Sequence, residues 1–334
     1  MKKHISDSLS GARSGSQAIT VPFGTAVGLA LRALSIIPII VSLTATAVAQ
    51  GPDLKPGRPS GWTAPVEVTA IASKPVVRAS WFNDSRAAVV MPFYSLISVD
   101  GRGVVRFRQD HLDGGWGAKT NYYRLGLLKK GRHTAKLAVD DTNVVRESAE
   151  GNNTYSLKFE YDGLHFPLPD KKEHRKVTHG FGRPWDANPT QRTHNGADFR
   201  ASRNTAVYAA YDGKVLGTGT YAGWGGWIVV GHDERIDGAF KWTSLYLHVN
   251  AKATKGDQVY AGNKIAEVAP LTSGDHLHFG IRLGPISATA TEIDLSAKGA
   301  LASQSRYVLS NVPLFPEQYV DPLEYIEGDF EEFD

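Results

Sequence analysis

Gly274-Asp275-His276-Leu277-His278-Phe279-Gly280 carries two histidines and two large apolar residues in strict alternation, closed by glycine at each end. Alternate residues of a β-strand share a face, so His276 and His278 would project together, about 6–7 Å apart, while Leu277 and Phe279 turn the other way. Other short runs with strand character surround this one: 206–210, 214–216, 227–230, 242–249 and 265–269. Gly213, Gly217, Gly219, Gly223, Gly225, Gly226, Gly231, Gly262 and Gly274 punctuate them. Glycine at that density between short strands suits a tight antiparallel sheet with many hairpins. The expectation is an antiparallel β-sheet domain over residues 166–326.

Upstream, residues 66–161 hold further short β-branched or alternating runs at 68–71, 87–91, 103–107 and 133–139, separated by turn residues such as Asp100-Gly101 and Asp113-Gly114-Gly115. No helical period of useful length appears, and the pattern predicts an immunoglobulin-like β-sandwich. The chain therefore reads as all-β, in two folded parts. Residues 50–65 are rich in proline and glycine and read as an extended linker. Residues 327–334 are acidic and read as a solvated tail. The stretch between Pro285 and Pro316 reads as a loop crossing the rim of a site.

The first 49 residues read as a targeting segment. Basic residues come early, an apolar run follows from Ala33 to Leu43, and small residues end at Ala47-Val48-Ala49 before Gln50. That order fits a signal peptide cleaved after Ala49; a retained membrane anchor is the alternative. Both readings place the folded part outside the cytoplasmic membrane, in the periplasm or beyond. The formal charge of +3 rests on this segment, since Lys2, Lys3, Arg13, Arg32 and Asp7 lie in it and the remainder carries 33 basic and 33 acidic residues. A neutral chain without a Lys/Arg block argues against a nucleic-acid partner. Cysteine is absent, which removes disulfides, thiolate metal ligands and thiol nucleophiles together.

Any metal must then be held by histidine and carboxylate, and five residues stand out: His194, Asp198, His248, His276 and His278. In Thr193-His-Asn-Gly-Ala-Asp198 a fully extended chain would separate His194 from Asp198 by about 13 Å, too far to share one ion. The chain has to bend, and Gly196 is the residue best able to supply the bend. His248 sits in an alternating stretch in which Ser244, Tyr246 and His248 share one face and Leu245, Leu247 and Val249 the other. Two histidines with one carboxylate make a preferred zinc shell that keeps a fourth position open, and two histidines remain for proton transfer.

The order His-x-x-x-Asp, Tyr-x-His, Gly-x-His-Leu-His-Phe resembles the M23 (lysostaphin/LytM-like) peptidase family. The likeness extends over 177–282 and takes in Gly182-Arg183-Pro184, Gly196-Ala197-Asp198, Ala206-Val207-Tyr208-Ala209, Asp212-Gly213-Lys214-Val215 and Gly256-Asp257-Gln258-Val259; Asp321-Pro322-Leu323 is similar to the family's closing segment. What the resemblance implies is a Zn²⁺ held by His194, Asp198 and His278, with His248 and His276 as the catalytic pair. It also implies an endopeptidase acting on peptidoglycan peptides. Which histidine is the base is left open. A glutamate base is not on offer, because no His-Glu-x-x-His helix exists here. Histidine proton transfer implies activity that falls below about pH 6.

Arg183 fits a substrate contact or a plain structural arginine, and the residue that usually separates it from the preceding glycine is missing. Tyr208, Tyr211, Tyr221, Trp224, Trp227, Trp242 and Tyr246 suit either groove walls or core pairs, with Tyr246 the substrate-facing candidate. His174, His179 and His232 read as structural. The segment from Gly131 to Asn153 resembles the closing part of a CARDB-like adhesion module, which implies a wall glycan or a protein as ligand. Two other functions compete with the endopeptidase: a non-catalytic regulator of wall hydrolases, and a wall carboxypeptidase or amidase using the same shell.

Overall fold

The computed structural model describes residues 19–22, 50–71, 74–183, 194–221, 224–235, 238–272, 274–287 and 318–332. The targeting segment apart from 19–22, and the rim loop beyond 287, lie outside the described residues. The chain divides into two units: residues 1–69, 75–125 and 132–159 form the first, and 70–74, 126–131 and 160–334 the second. Among the described residues there is no α-helix, and the ordered elements are strands with short 3₁₀ turns at Lys172–Arg175 and Pro322–Glu324.

Strands β1 (Ile19–Pro22), β2 (Leu54–Pro56), β3 (Val66–Ile71), β4 (Lys74–Asn83), β5 (Phe93–Val99), β6 (Arg102–Gln109), β7 (Trp116–Lys119), β8 (Tyr123–Arg124), β9 (Gly131–Ala138) and β10 (Thr154–Tyr161) make two sheets. One runs β1-β7-β4-β2 with β3 and β8 also on β4, the other β10-β9-β5-β6. Alternation does its expected work: Phe93, Ser95, Ile97 and Val99 of β5 are buried and the residues between them are not. Trp81 from one sheet meets Phe107 from the other, ring centroids 6.2 Å apart.

Residues 50–65 are not a free linker. Leu54 is fully buried and β2 pairs with β4 in antiparallel register. Partners remote in sequence fasten the stretch: Asn83 Oδ1 accepts from Asp53 N at 3.1 Å, Asn152 Nδ2 donates to Asp53 Oδ1 at 2.8 Å, and the Glu147 carboxylate accepts from Leu54 N. A proline- and glycine-rich composition predicts extension, and extension is what β2 uses.

The second unit is built on β11 (Lys176–His179), β12 (Ala197–Arg200), β13 (Ala206–Tyr208), β14 (Gly213–Tyr221), β15 (Gly225–Glu234), β16 (Ala239–Ala251), β17 (Gln258–Val259), β18 (Lys264–Val268), β19 (His276–Ser287), β20 (Tyr319–Val320) and β21 (Glu331–Glu332). Its sheet runs β17-β14-β15-β16-β19-β12-β11-β21. One apolar cluster, including Phe166, Phe199, Tyr246, Leu277, Phe279 and Ile281, fills one side. A smaller one of Leu216, Trp227, Val229, Phe240, Leu245, Leu247 and Ile286 lies apart from it.

The acidic end of the chain is docked where the sequence suggested a solvated tail. β21 pairs in parallel with β11, Glu331 opposite Lys176. Phe330 lies 5.6 Å from both the Phe166 and Phe199 rings, and Phe166 N donates to Glu327 Oε1 at 3.1 Å. Half-buried Phe330 among the acids anchors the segment together with these polar contacts.

Gly196 serves a purpose other than the bend expected of it. It is not among the positive-φ glycines; instead a Cβ there would lie 2.4 Å from the Phe279 carbonyl oxygen and 2.8 Å from His278 Nε2. Gly196 is needed because β19 passes so close. Gly196→Ala should therefore lower stability by about 1–3 kcal/mol through overpacking, measured by urea unfolding; an unchanged midpoint would show that β19 yields freely.

Candidate metal centre

β12 and β19 lie side by side in antiparallel register with Asp198 opposite His278 and Arg200 opposite His276. Cross-strand partners share a face, so the pairing alone sets the Asp198 carboxylate beside the His278 ring. His276 follows on the same face two residues away, as the strand period requires. His194 arrives from the bend before β12.

The three side chains converge on one point. His194 Nε2 lies 3.1 Å from Asp198 Oδ1 and 2.8 Å from His278 Nδ1, and His278 Nδ1 lies 3.0 Å from the same carboxylate oxygen. His194 and His278 have no exposed surface and Asp198 is 4 % exposed. Burial works to raise the Asp198 carboxyl, but its interactions with the His194 and His278 rings outweigh burial and hold the group far below the usual carboxylate range. Burial pushes His278 down to about 4. A neutral imidazole and an ionised carboxylate are the forms in which these residues ligate a cation. Among the described residues this is the group of three whose donor atoms lie within 4.8 Å of one another, and its N, N, O donor set suits zinc.

The ring tautomers are set by main-chain carbonyls, which can only accept. His194 Nδ1 donates to Gly180 O at 3.0 Å, His248 Nδ1 to Trp224 O at 2.8 Å and His276 Nδ1 to Gly274 O at 2.8 Å. Each of these rings is left with its lone pair on Nε2. His276 Nε2 comes within 3.6 Å of Asp198 Oδ2.

His248 does not obey the alternation read from its sequence. Val249 pairs with Gly226 and Leu247 with Trp227, so His248 is an extra residue in β16, with φ at 63°. This β-bulge with a left-handed residue turns His248 out of step with Tyr246. Its ring reaches 4.5 Å from that of His276 and 6.3 Å from that of His278. Burial, followed by the neighbouring His276, holds the His248 pKa below its ordinary value. A non-glycine residue at positive φ costs of order 1–3 kcal/mol and is characteristic of functional sites; local alternation gives no warning of it.

Tyr246 is not a substrate-facing residue. It is fully buried, its hydroxyl accepts from Ala210 N at 2.8 Å, and its ring packs 5.2 Å from Phe279 in the core. Tyr211, Trp227 and Trp242 are equally buried, whereas Trp224 is 50 % exposed and its ring lies 6.1 Å from His248. Arg183 reaches Glu332 Oε2 at 3.4 Å, and its carbonyl accepts from His194 N at 3.0 Å. His232 is buried between Asp212 O and Ser244 Oγ, and His174 bonds Pro169 O. His179, read as structural, lies in the site instead: its ring centroid is 4.7 Å from that of His194. Residues 184–193 and the side chain of Tyr221 lie outside the described residues.

Residues 192–291 match the model of Peptidase family M23. The chain is similar to the DD-carboxypeptidase/endopeptidase Mpg of Neisseria meningitidis serogroup B, 28% identical over 126 residues, which are 35% of this chain and 28% of that protein. The match thus spans less than a third of that relative's length. Among solved structures it is similar to the catalytic domain of the prophage-encoded M23 protein EnpA from Enterococcus faecalis (20% identity, TM-score 0.30, 39% of this chain and 98% of that one). It is also similar to lysostaphin from Staphylococcus simulans (22% identity, TM-score 0.31, 45% and 60%). The family match encloses His194, Asp198, His248, His276 and His278.

Proposed function

We propose that the protein is an exported zinc endopeptidase that hydrolyses peptide cross-links of bacterial cell-wall peptidoglycan. The observation that carries this reading is the buried His194–Asp198–His278 cluster with the His248–His276 pair beside it, inside the M23 segment. His194 Nε2, Asp198 Oδ1 and His278 Nδ1 would hold the ion. Bound there, zinc supplies Lewis acidity, polarising the scissile carbonyl and bringing the pKa of water towards ~7.

The chain's own residues do the rest. His248, pinned by the Trp224 carbonyl, offers a basic Nε2 on the side of His276. His276, pinned by the Gly274 carbonyl, offers its Nε2 towards Asp198. Between them the two rings take the proton from water, steady the oxyanion and return a proton to the departing amine. The named activity of the Neisseria relative, carboxypeptidase and endopeptidase, supports peptidoglycan as the substrate class. The N-terminal targeting pattern supports export, and the first unit serves as a binding or spacing module for wall glycan or a protein.

Digestion of purified peptidoglycan by the zinc-loaded protein from Gln50 onward should release fragments with new amino ends at cross-bridges, read by mass spectrometry. His194→Ala and His276→Ala should each lower the rate by about 10²-fold or more; hydrolysis persisting in both would refute the reading, as would no release by zinc-loaded wild type.

Since the base must be neutral and burial holds His248 below its ordinary value, activity falls only as pH drops through that lowered pKa. The acid limb of kcat/KM should therefore lie below about 6.5. A limb at or above pH 7 would exclude His248 as the proton acceptor.

A further inference from the structure

We infer that His179 is a positioning residue for the metal centre: it clamps the turn that holds His194 and so sets the affinity and geometry of the bound ion. This rests on the zinc reading above and concerns a residue outside the His-x-x-x-Asp and His-x-His motifs.

The register of β11 first directs attention to it. Val177 pairs with Phe199 and His179 with Asp198, leaving Thr178 as an extra residue. The chain thus breaks its ladder beside the site twice, once at His248 and once next to His179. A bulge re-aims the side chain beside it, and both bulges serve a histidine. Opposite Asp198, the His179 ring sits edge-on against the ring of His194, with an interplanar angle of 62°.

The same ring hydrogen-bonds the main chain of Arg183. His179 therefore ties together the two ends of the turn 179–183. That turn fastens His194 at three points: Gly180 O accepts its Nδ1–H at 3.0 Å, Arg183 O accepts its backbone N–H at 3.0 Å, and its own carbonyl accepts from Gly182 N at 2.8 Å. The Gly180 bond decides which nitrogen of His194 faces the ion. A group that holds the turn shut holds that tautomer and ring plane, and such supporting partners govern metal affinity as well as structure.

The test uses the full chain and zinc in competition with a chromogenic chelator, with Asp198→Ala as a reference. His179→Ala should weaken zinc binding by about 10- to 100-fold and shift the visible bands of the cobalt(II)-substituted protein. His179→Asn, whose amide still donates to the Arg183 main chain, should recover most of the affinity. Zinc affinity of His179→Ala within about 2-fold of wild type with an unchanged cobalt spectrum would overturn the inference. Should the alanine variant fail to fold by circular dichroism, His179→Phe decides: it keeps the packed ring and loses the hydrogen bond, so weakened binding supports the inference and wild-type affinity overturns it. Wild type binding no more tightly than Asp198→Ala would instead refute the zinc reading itself.

Discussion

Asp198 keeps a carboxylate charge in a site almost closed to solvent, and the rest of the site is arranged around that fact. An isolated buried charge is costly enough to drive a carboxyl to its neutral form. Here two imidazoles close on one oxygen at 3.0 and 3.1 Å, and the charge survives. Neutral rings do not neutralise the charge, and His194, whose Nδ1–H is taken by Gly180 O, turns only a lone pair towards it. A cation would neutralise it, and in this the grouping differs from the uncharged core network of His232, Ser244 and Tyr246.

Directionality comes from the main chain. Carbonyls of Gly180, Trp224 and Gly274 each take the Nδ1 proton of a different histidine. Tautomer and ring plane are thereby settled by loops and turns rather than by other side chains. β-bulges then decide which rings take part. Without the extra residue at His248 in β16, the alternation that buries Tyr246 would carry His248 to the same side, away from His276. The strand tolerates a left-handed histidine because β15 on one side, and β19 followed by β18 on the other, over-determine its path.

Much of this was legible in the sequence. Strand period placed His276 and His278 together, composition excluded thiolates, and the distance an extended chain would span required a bend between His194 and Asp198. What escaped were features with no local signature. A bulge is a mismatch between two strands, so neither the turned-out His248 nor the inward His179 shows in its own neighbours. Tyr246 looked like a groove residue because amphipathic aromatics suit both places, and only the Ala210 amide, distant in sequence, decides for the core. The stretch around Leu54 and the acidic end were misjudged alike: local composition described their solubility, while Glu147, Asn152 and the Phe166–Phe199 pair supplied the docking.

Asp198 and His278 come from neighbouring strands but remote parts of the chain, 80 positions apart. Contacts of such separation carry a larger loop-closure cost than those within the hairpins of β14, β15 and β16. Partly folded chains hold these side chains apart, so an ion bound at this site would draw the folding equilibrium towards the finished sheet by mass action. With the site filled as proposed, metal supply would join sequence in setting how long the folded chain persists.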